Sequence, residues 1–128
     1  MGTERALTVL VLAMVAAFAT APVYSAELNI AGNYGDEAGC RFAKTNDYSE
    51  AEILLLTRQY VTTQVTQCSF VQIFPGEADS QVAIVTCGHE GDEATTLGLI
   101  RIQKSPDGVD AYLIFDEDGG TWGKVERC

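Results

Sequence analysis

Positive charge is scarce in this chain: eight lysines and arginines stand against eighteen aspartates and glutamates, for a formal net charge of −10. Such a surface repels phosphate backbones and anionic lipid, which argues against nucleic acid and membrane-surface binding and leaves a basic partner, a cation or plain solubility. Histidine is scarcer still, since His89 stands alone, and no serine has a local histidine partner for nucleophilic catalysis. A glycine-rich phosphate cradle and a Gly-x-Ser-x-Gly elbow are both missing. Internal repeats and low-complexity linkers are missing too, and no apolar run reaches the ~18 to 20 residues that a bilayer span requires.

The longest apolar run covers the 14 residues 6–19, after Arg5 and before a Pro-containing polar stretch that ends in small residues. This is the layout of a cleaved secretory signal. Cleavage after Ser25 leaves Val23 and Ser25 as the residues read by the peptidase; after Ala26, bulky Tyr24 would take the restrictive position. No cysteine stands at the cleavage point, so a lipid attachment is not expected, and the 14-residue run is too short for a membrane anchor. Residues 1–25 are thus read as a signal peptide and 26–128 as one exported domain, periplasmic or extracellular. Glu4 and Arg5 leave together, so the charge stays at −10. The remaining 103 residues (128 minus 25) suffice for one domain with a modest core.

All four cysteines, Cys40, Cys68, Cys87 and Cys128, lie in the exported part. An even count in an oxidising space points to two disulfides. β-Branched and aromatic residues cluster in short runs separated by Gly, Pro, Asp and Asn, which predicts strands over 28–34, 52–57, 59–66, 68–74, 81–87, 95–103, 109–115 and 121–127. One long bent strand over residues 59–74 is the alternative to two. The segment 46–58 is the one helical alternative, with Ser49 and Glu52 in a capping pattern, although the continuous apolar run 53–56 fits a strand as well. "KSPDGV" and "FDEDGG" are turns, with Pro106, Asp107 and Gly108 each suited to its turn position. The expected fold is all-β: a small antiparallel meander of about seven or eight strands closing into a barrel or folding into a sandwich.

Around the Pro-Gly turn at residues 75–80, paired residues sum to 155, so that Cys68 faces Cys87, Phe70 faces Val85 and Phe74 faces Gln81. Directly opposed β-carbons sit about 4.5 to 5.5 Å apart, close to what a disulfide needs. The same register gathers Val71, Ile73, Val82 and Ile84 as a core stripe. Pairing Cys68 with Cys87 leaves Cys40 for Cys128, tying the region after the first strand to the C-terminus, as in a closed sheet. The pairing Cys40 with Cys68 and Cys87 with Cys128 satisfies the same count. A Cys87 thiolate activated by His89 is geometrically allowed, two residues apart on one face, but needs a reduced cysteine. A zinc site lacks a fourth ligand and C-x-x-C spacing. The three residues are therefore read as a clasp with a polar neighbour, without catalytic residues or a cofactor.

Two acidic loops, carrying Glu90, Asp92 and Glu93 and then Asp116, Glu117 and Asp118, offer oxygen ligands; Asp116 and Asp118 are the calcium candidates, against solvated turn residues as the default. The aromatics exceed what one sheet face needs. Phe70 and Phe74 fall opposite the Val71 and Ile84 stripe, so one apolar face of the hairpin must be covered by residues 46–56 or serve as a binding surface. The candidate binding residues are Phe70, Phe74, Tyr112 and Trp122, for an apolar small ligand or a protein partner. "LNIAGNYGDEAGC" resembles the opening of small periplasmic lipocalin-like barrels such as the bacterial metalloprotease inhibitors, in which Ala-Gly-x-Trp precedes the first cysteine. Ala31 and Gly32 match, Tyr34 stands for the tryptophan, and Cys40 follows. The resemblance implies a barrel whose N-terminal tail, here residues 26–29, enters a protease cleft, although that family carries one bridge and not two. The expected function is a non-enzymatic binding or inhibitory module acting through an apolar patch or small cavity. A structural envelope-associated protein and a hydrolase using the acidic loops are the alternatives.

Overall fold

The computed structural model describes residues 26–47 and 52–128. Eight strands form a closed antiparallel barrel in sequential order: β1 (Tyr34–Gly35), β2 (Leu54–Leu56), β3 (Tyr60–Thr63), β4 (Thr66–Pro75), β5 (Ser80–His89), β6 (Thr95–Lys104), β7 (Ala111–Asp116) and β8 (Thr121–Arg127). Strand β1 pairs with β2 on one side and with β8 on the other, which closes the ring. Closure gives every strand a partner on both sides, although β4 beyond Ser69 and β6 before Ile100 outrun their ladders with β3 and β7. The expected signal peptide at 1–25 lies outside the described residues, as does Ser49 of the expected helix cap.

The helix forms elsewhere than expected. Helix α1 spans Glu37–Thr45, between β1 and β2, and no helix follows in 52–58. Its local signals are complete: the Asp36 carboxylate accepts from the Gly39 N–H at 2.6 Å, Glu37 sits in the first turn, Lys44 in the last, and Asn46 closes the end in the left-handed conformation. These are the charges and caps that a helix dipole and its unpaired termini require. The same Asp36 oxygen accepts from the Leu54 N–H at 3.2 Å, so one side chain starts the helix and fixes it to β2. Gly39 is needed at this contact, because a β-carbon there would overlap the Leu54 carbonyl.

The first strand is shorter than the sequence pattern predicts. Only Tyr34 and Gly35 pair as β1, and residues 26–33 instead run beneath the barrel. Leu28 and Ile30 are buried there. The Leu28 N–H donates to the Arg58 carbonyl at 2.8 Å, the Arg58 guanidinium donates to the Ile30 carbonyl at 3.1 Å, and the Asn29 N–H donates to Gln81 Oε1 at 3.0 Å. Apolar alternation in this segment thus reflects a plug over the barrel base.

The interior is packed with Tyr34, Leu54, Leu56, Val61, Phe70, Ala83, Val85, Ile100, Ile102, Ile114 and Val125. Cys68 and Cys87 face each other across β4 and β5 inside this core, joined as a disulfide. Cys40 of α1 is joined to Cys128, and the Cys128 N–H donates to the Asn33 carbonyl, so helix, C-terminus and base are tied at one seam.

The β4–β5 hairpin keeps the expected register from Thr66 to Phe70 and then slips. A β-bulge between Phe70 and Gln72 shifts the pairs, so that Gln72 faces Ile84, Ile73 faces Ala83 and Phe74 faces Val82. A bulge inserts one unpaired residue and moves everything beyond it to the opposite face. Ile73 therefore points inward with Ala83, whereas Val71, Val82 and Ile84 lie outside the barrel, contrary to the core stripe expected from the uninterrupted register. Phe74 faces Val82 and not Gln81 for the same reason.

Candidate functional site

An apolar wall covers the outside of β4 to β7, and the bulge turns Phe74 onto it. Its rows follow the strand pairing: Phe74, Val82, Arg101 and Phe115 in one line, Gln72, Ile84 and Leu99 in the next, and Ser69, Thr86 and Leu97 in the third. Leu97 is 76% exposed, and Val71, Phe74 and Leu99 are each more than 40% exposed. Side chains adjacent in such rows touch across strands, so the surface is continuous and not a scatter of single residues. The Arg101 guanidinium lies 4.2 Å from the centre of the Phe115 ring and also donates to Gln103, which holds the one charge in these three rows flat against the wall. The described part of 46–56 does not cover it: Leu54–Leu56 is consumed as β2, Leu55 is buried, and α1 packs on β1 and β2.

The four candidate aromatics do not come together. Phe70 is buried in the core at 4% exposure, and Phe74 stands on the wall. Tyr112 lies toward the barrel base, where its ring meets Tyr34 edge-on with centroids 4.8 Å apart. Trp122 lies near the opposite mouth, packed against the core and lining a cleft of about 390 Å³ with Ile53, Leu54 and Val65, beside Asp36 and Glu52. Sequence reasoning missed Leu97 and Leu99, the most prominent wall residues on β6. The available signal was their spacing of two in a strand whose Ile100 and Ile102 already supply the inward face.

At the base, Tyr34 is buried and its hydroxyl donates to Asp110 at 2.8 Å, while Arg127 lies 3.5 Å from the same carboxylate. Burial, that hydrogen bond and the Asp110 charge push the Tyr34 hydroxyl up to about 12. Burial likewise raises Tyr112. These groups are held neutral and engaged, a structural arrangement. In the β6–β7 turn, Lys124, Ser105 and the Val109 N–H all donate to Asp107 and hold its carboxyl down to about 2.

His89 is exposed at the mouth, with Thr66 Oγ1 2.8 Å from Nδ1 and Thr96 Oγ1 3.4 Å from Nε2. Its neighbour Cys87 is oxidised, so the thiolate and zinc readings have no nucleophile or ligand there. Asp116 Oδ1 accepts from the Asp118 and Gly120 N–H groups at 3.0 and 2.8 Å, closing its own turn. Among the described residues, no three His, Cys, Asp or Glu side chains gather as a metal cluster.

What the fold and surface define is a two-disulfide, eight-stranded meander barrel with a filled interior and one apolar outer wall. Comparison with protein-family models, with curated proteins and with solved structures finds no match. Two disulfides fit an oxidising compartment outside the cytoplasm, and among the described residues no helix is long and apolar enough to cross a membrane.

Proposed function

We propose that this protein is a non-enzymatic binding module, exported by a cleaved signal at residues 1–25, whose working surface is the outer wall of β4 to β7. One observation carries this reading: Val71, Phe74, Val82, Ile84, Leu97 and Leu99 form a continuous apolar surface that no described element covers. Keeping so much apolar area in water is costly, at about 25 cal/mol per Å², and a partner that covers it recovers that free energy. The interior cannot serve the same purpose, because side chains and the Cys68–Cys87 bridge fill it. The N-terminal segment that the lipocalin-like resemblance would make inhibitory is engaged through Leu28, Asn29 and Ile30, which favours the wall over the tail. The cleft beside Trp122 supports a second reading, a site for a small apolar ligand.

A fluorescent apolar dye separates the two. The double variant Leu97→Ser/Leu99→Ser is expected to lower dye emission severalfold while Trp122→Ala leaves it near the parent level. The opposite result moves the site to the cleft, and insensitivity to both removes the apolar-surface reading.

A further inference from the structure

The wall is neutral or basic across its rows, yet its surroundings at the mouth of the barrel are strongly acidic. The β5–β6 loop, at the upper end of the wall, carries Glu90, Asp92 and Glu93, all exposed. The β7–β8 turn carries Asp116, Glu117 and Asp118. Because β7 pairs with β6 only from Ile100 to Lys104, the β6 residues Leu97 and Leu99 extend past the end of that ladder, at the end where Asp116 leads into the β7–β8 turn. Six carboxylates thus stand on the two loops at the mouth end of the wall, five of them exposed and the sixth, Asp116, opposite the inward-facing Ile100 and closing its own turn. Among these six, no ion pair with a basic side chain is present within the described residues. The barrel base differs: Asp107 is paired with Lys124 and Asp110 with Arg127.

Resting on the reading of the wall as the working surface, we infer that its partner is an amphipathic polypeptide segment with an apolar stripe and a cluster of lysines or arginines at one end. The stripe lies over Phe74, Val82, Ile84, Leu97 and Leu99, and the basic end meets the carboxylates at the mouth. A second copy of this chain is the poorer occupant. It brings a net charge of −10 to a surface of the same sign, and either orientation of two walls sets carboxylates of the mouth against another mouth or against Glu77 and Asp79 of the β4–β5 turn. An acidic partner meets the same repulsion. A cationic one gains steering as well as contact, because exposed charges near an apolar surface accelerate encounter.

Two labelled helical peptides of about 18 residues, long enough to lie along the wall, test this directly. They share one apolar stripe and differ in carrying lysines or glutamates at one end. Fluorescence anisotropy with the purified protein is expected to show at least tenfold tighter binding of the lysine peptide at low salt, with the advantage shrinking at high salt. Leu97→Ser/Leu99→Ser should weaken both peptides. Glu90→Gln/Asp92→Asn/Glu93→Gln should weaken the lysine peptide alone by severalfold, with dye emission unchanged. Equal affinity for both peptides, each lost in the leucine variant, overturns the basic partner and keeps the wall. Tighter binding of the glutamate peptide overturns it as well. A dimer in solution that the leucine variant abolishes assigns the wall to a second copy, and binding to zwitterionic vesicles in place of either peptide assigns it to lipid. Failure of both peptides overturns the inference, and the dye experiment alone then decides whether the wall reading survives.

Discussion

Phe70 and Phe74 lie four residues apart on β4, and an unbroken period of two would put them on one face. The bulge at Val71 separates them, so Phe70 is 4% exposed and Phe74 42%. Their truncations should therefore differ sharply: Phe70→Ala is expected to cost about 3 to 5 kcal/mol, and Phe74→Ala about 1 kcal/mol or less. Denaturant melts of the two variants check this, and similar costs would mean that the bulge is misplaced. Tyr34 belongs to the same scale. Its hydroxyl holds its proton more tightly in the folded chain, with a value of about 12 against 10.0 for an unperturbed tyrosine. The resulting stabilisation is complete below pH 10 and is lost as the pH rises through about 12. Tyr34→Phe should cost about 1 kcal/mol at neutral pH and should flatten the fall in urea midpoint above pH 10. A parent-like alkaline fall in that variant would assign the effect to other groups.

Among the elements, α1 depends on two residues, Asp36 and Gly39. Asp36 caps the helix and receives the Leu54 N–H, so Asp36→Ala removes a cap and orphans a donor of β2, an expected cost of about 1 to 3 kcal/mol. Gly39→Ala forces a methyl group into the Leu54 carbonyl and should cost about as much through displacement of the helix. Thermal melts read both, and a Gly39→Ala protein as stable as the parent would show that α1 does not pack against β2 in this way. Asp36 and Asn46 cap the helix, although the sequence pattern points to 46–58, where Ser49 and Glu52 make a capping pattern. Cap chemistry marks where helices can start. Which start is used depends on what the helix packs against.

For the whole molecule, the two disulfides close loops of 88 and 19 residues by sequence separation and differ in access. In the chain-entropy picture they contribute a little over 4 and about 3 kcal/mol. Cys68 and Cys87 are buried in the core, whereas Cys128 is exposed and Cys40 half-buried. Under native conditions a water-soluble phosphine should therefore open Cys40–Cys128 first and leave Cys68–Cys87 until the barrel unfolds. Timed alkylation and peptide mapping read the order, and early loss of the core bridge would contradict the burial. The acidic balance, visible in composition alone, takes on meaning at this scale because folding sorts part of it: Asp107 and Asp110 at the base are paired with Lys124 and Arg127, whereas the carboxylates of the β5–β6 loop at the mouth have no such ion pair among the described residues.

From the order of residues alone came the all-β class, the consecutive hairpins, the turn at Pro106 and Gly108, and the facing of Cys68 with Cys87, since these follow from local backbone preference and from pairing across a short turn. Tertiary structure alone decided that the sheet closes, that residues 26–33 plug the base, and which side of the β4–β5 hairpin is inside. A strand's alternation names two faces without ranking them when both are apolar, and a single inserted residue exchanges them. The inside is whichever face the other strands wrap around, and that depends on contacts distant in the chain, to which local preference is blind.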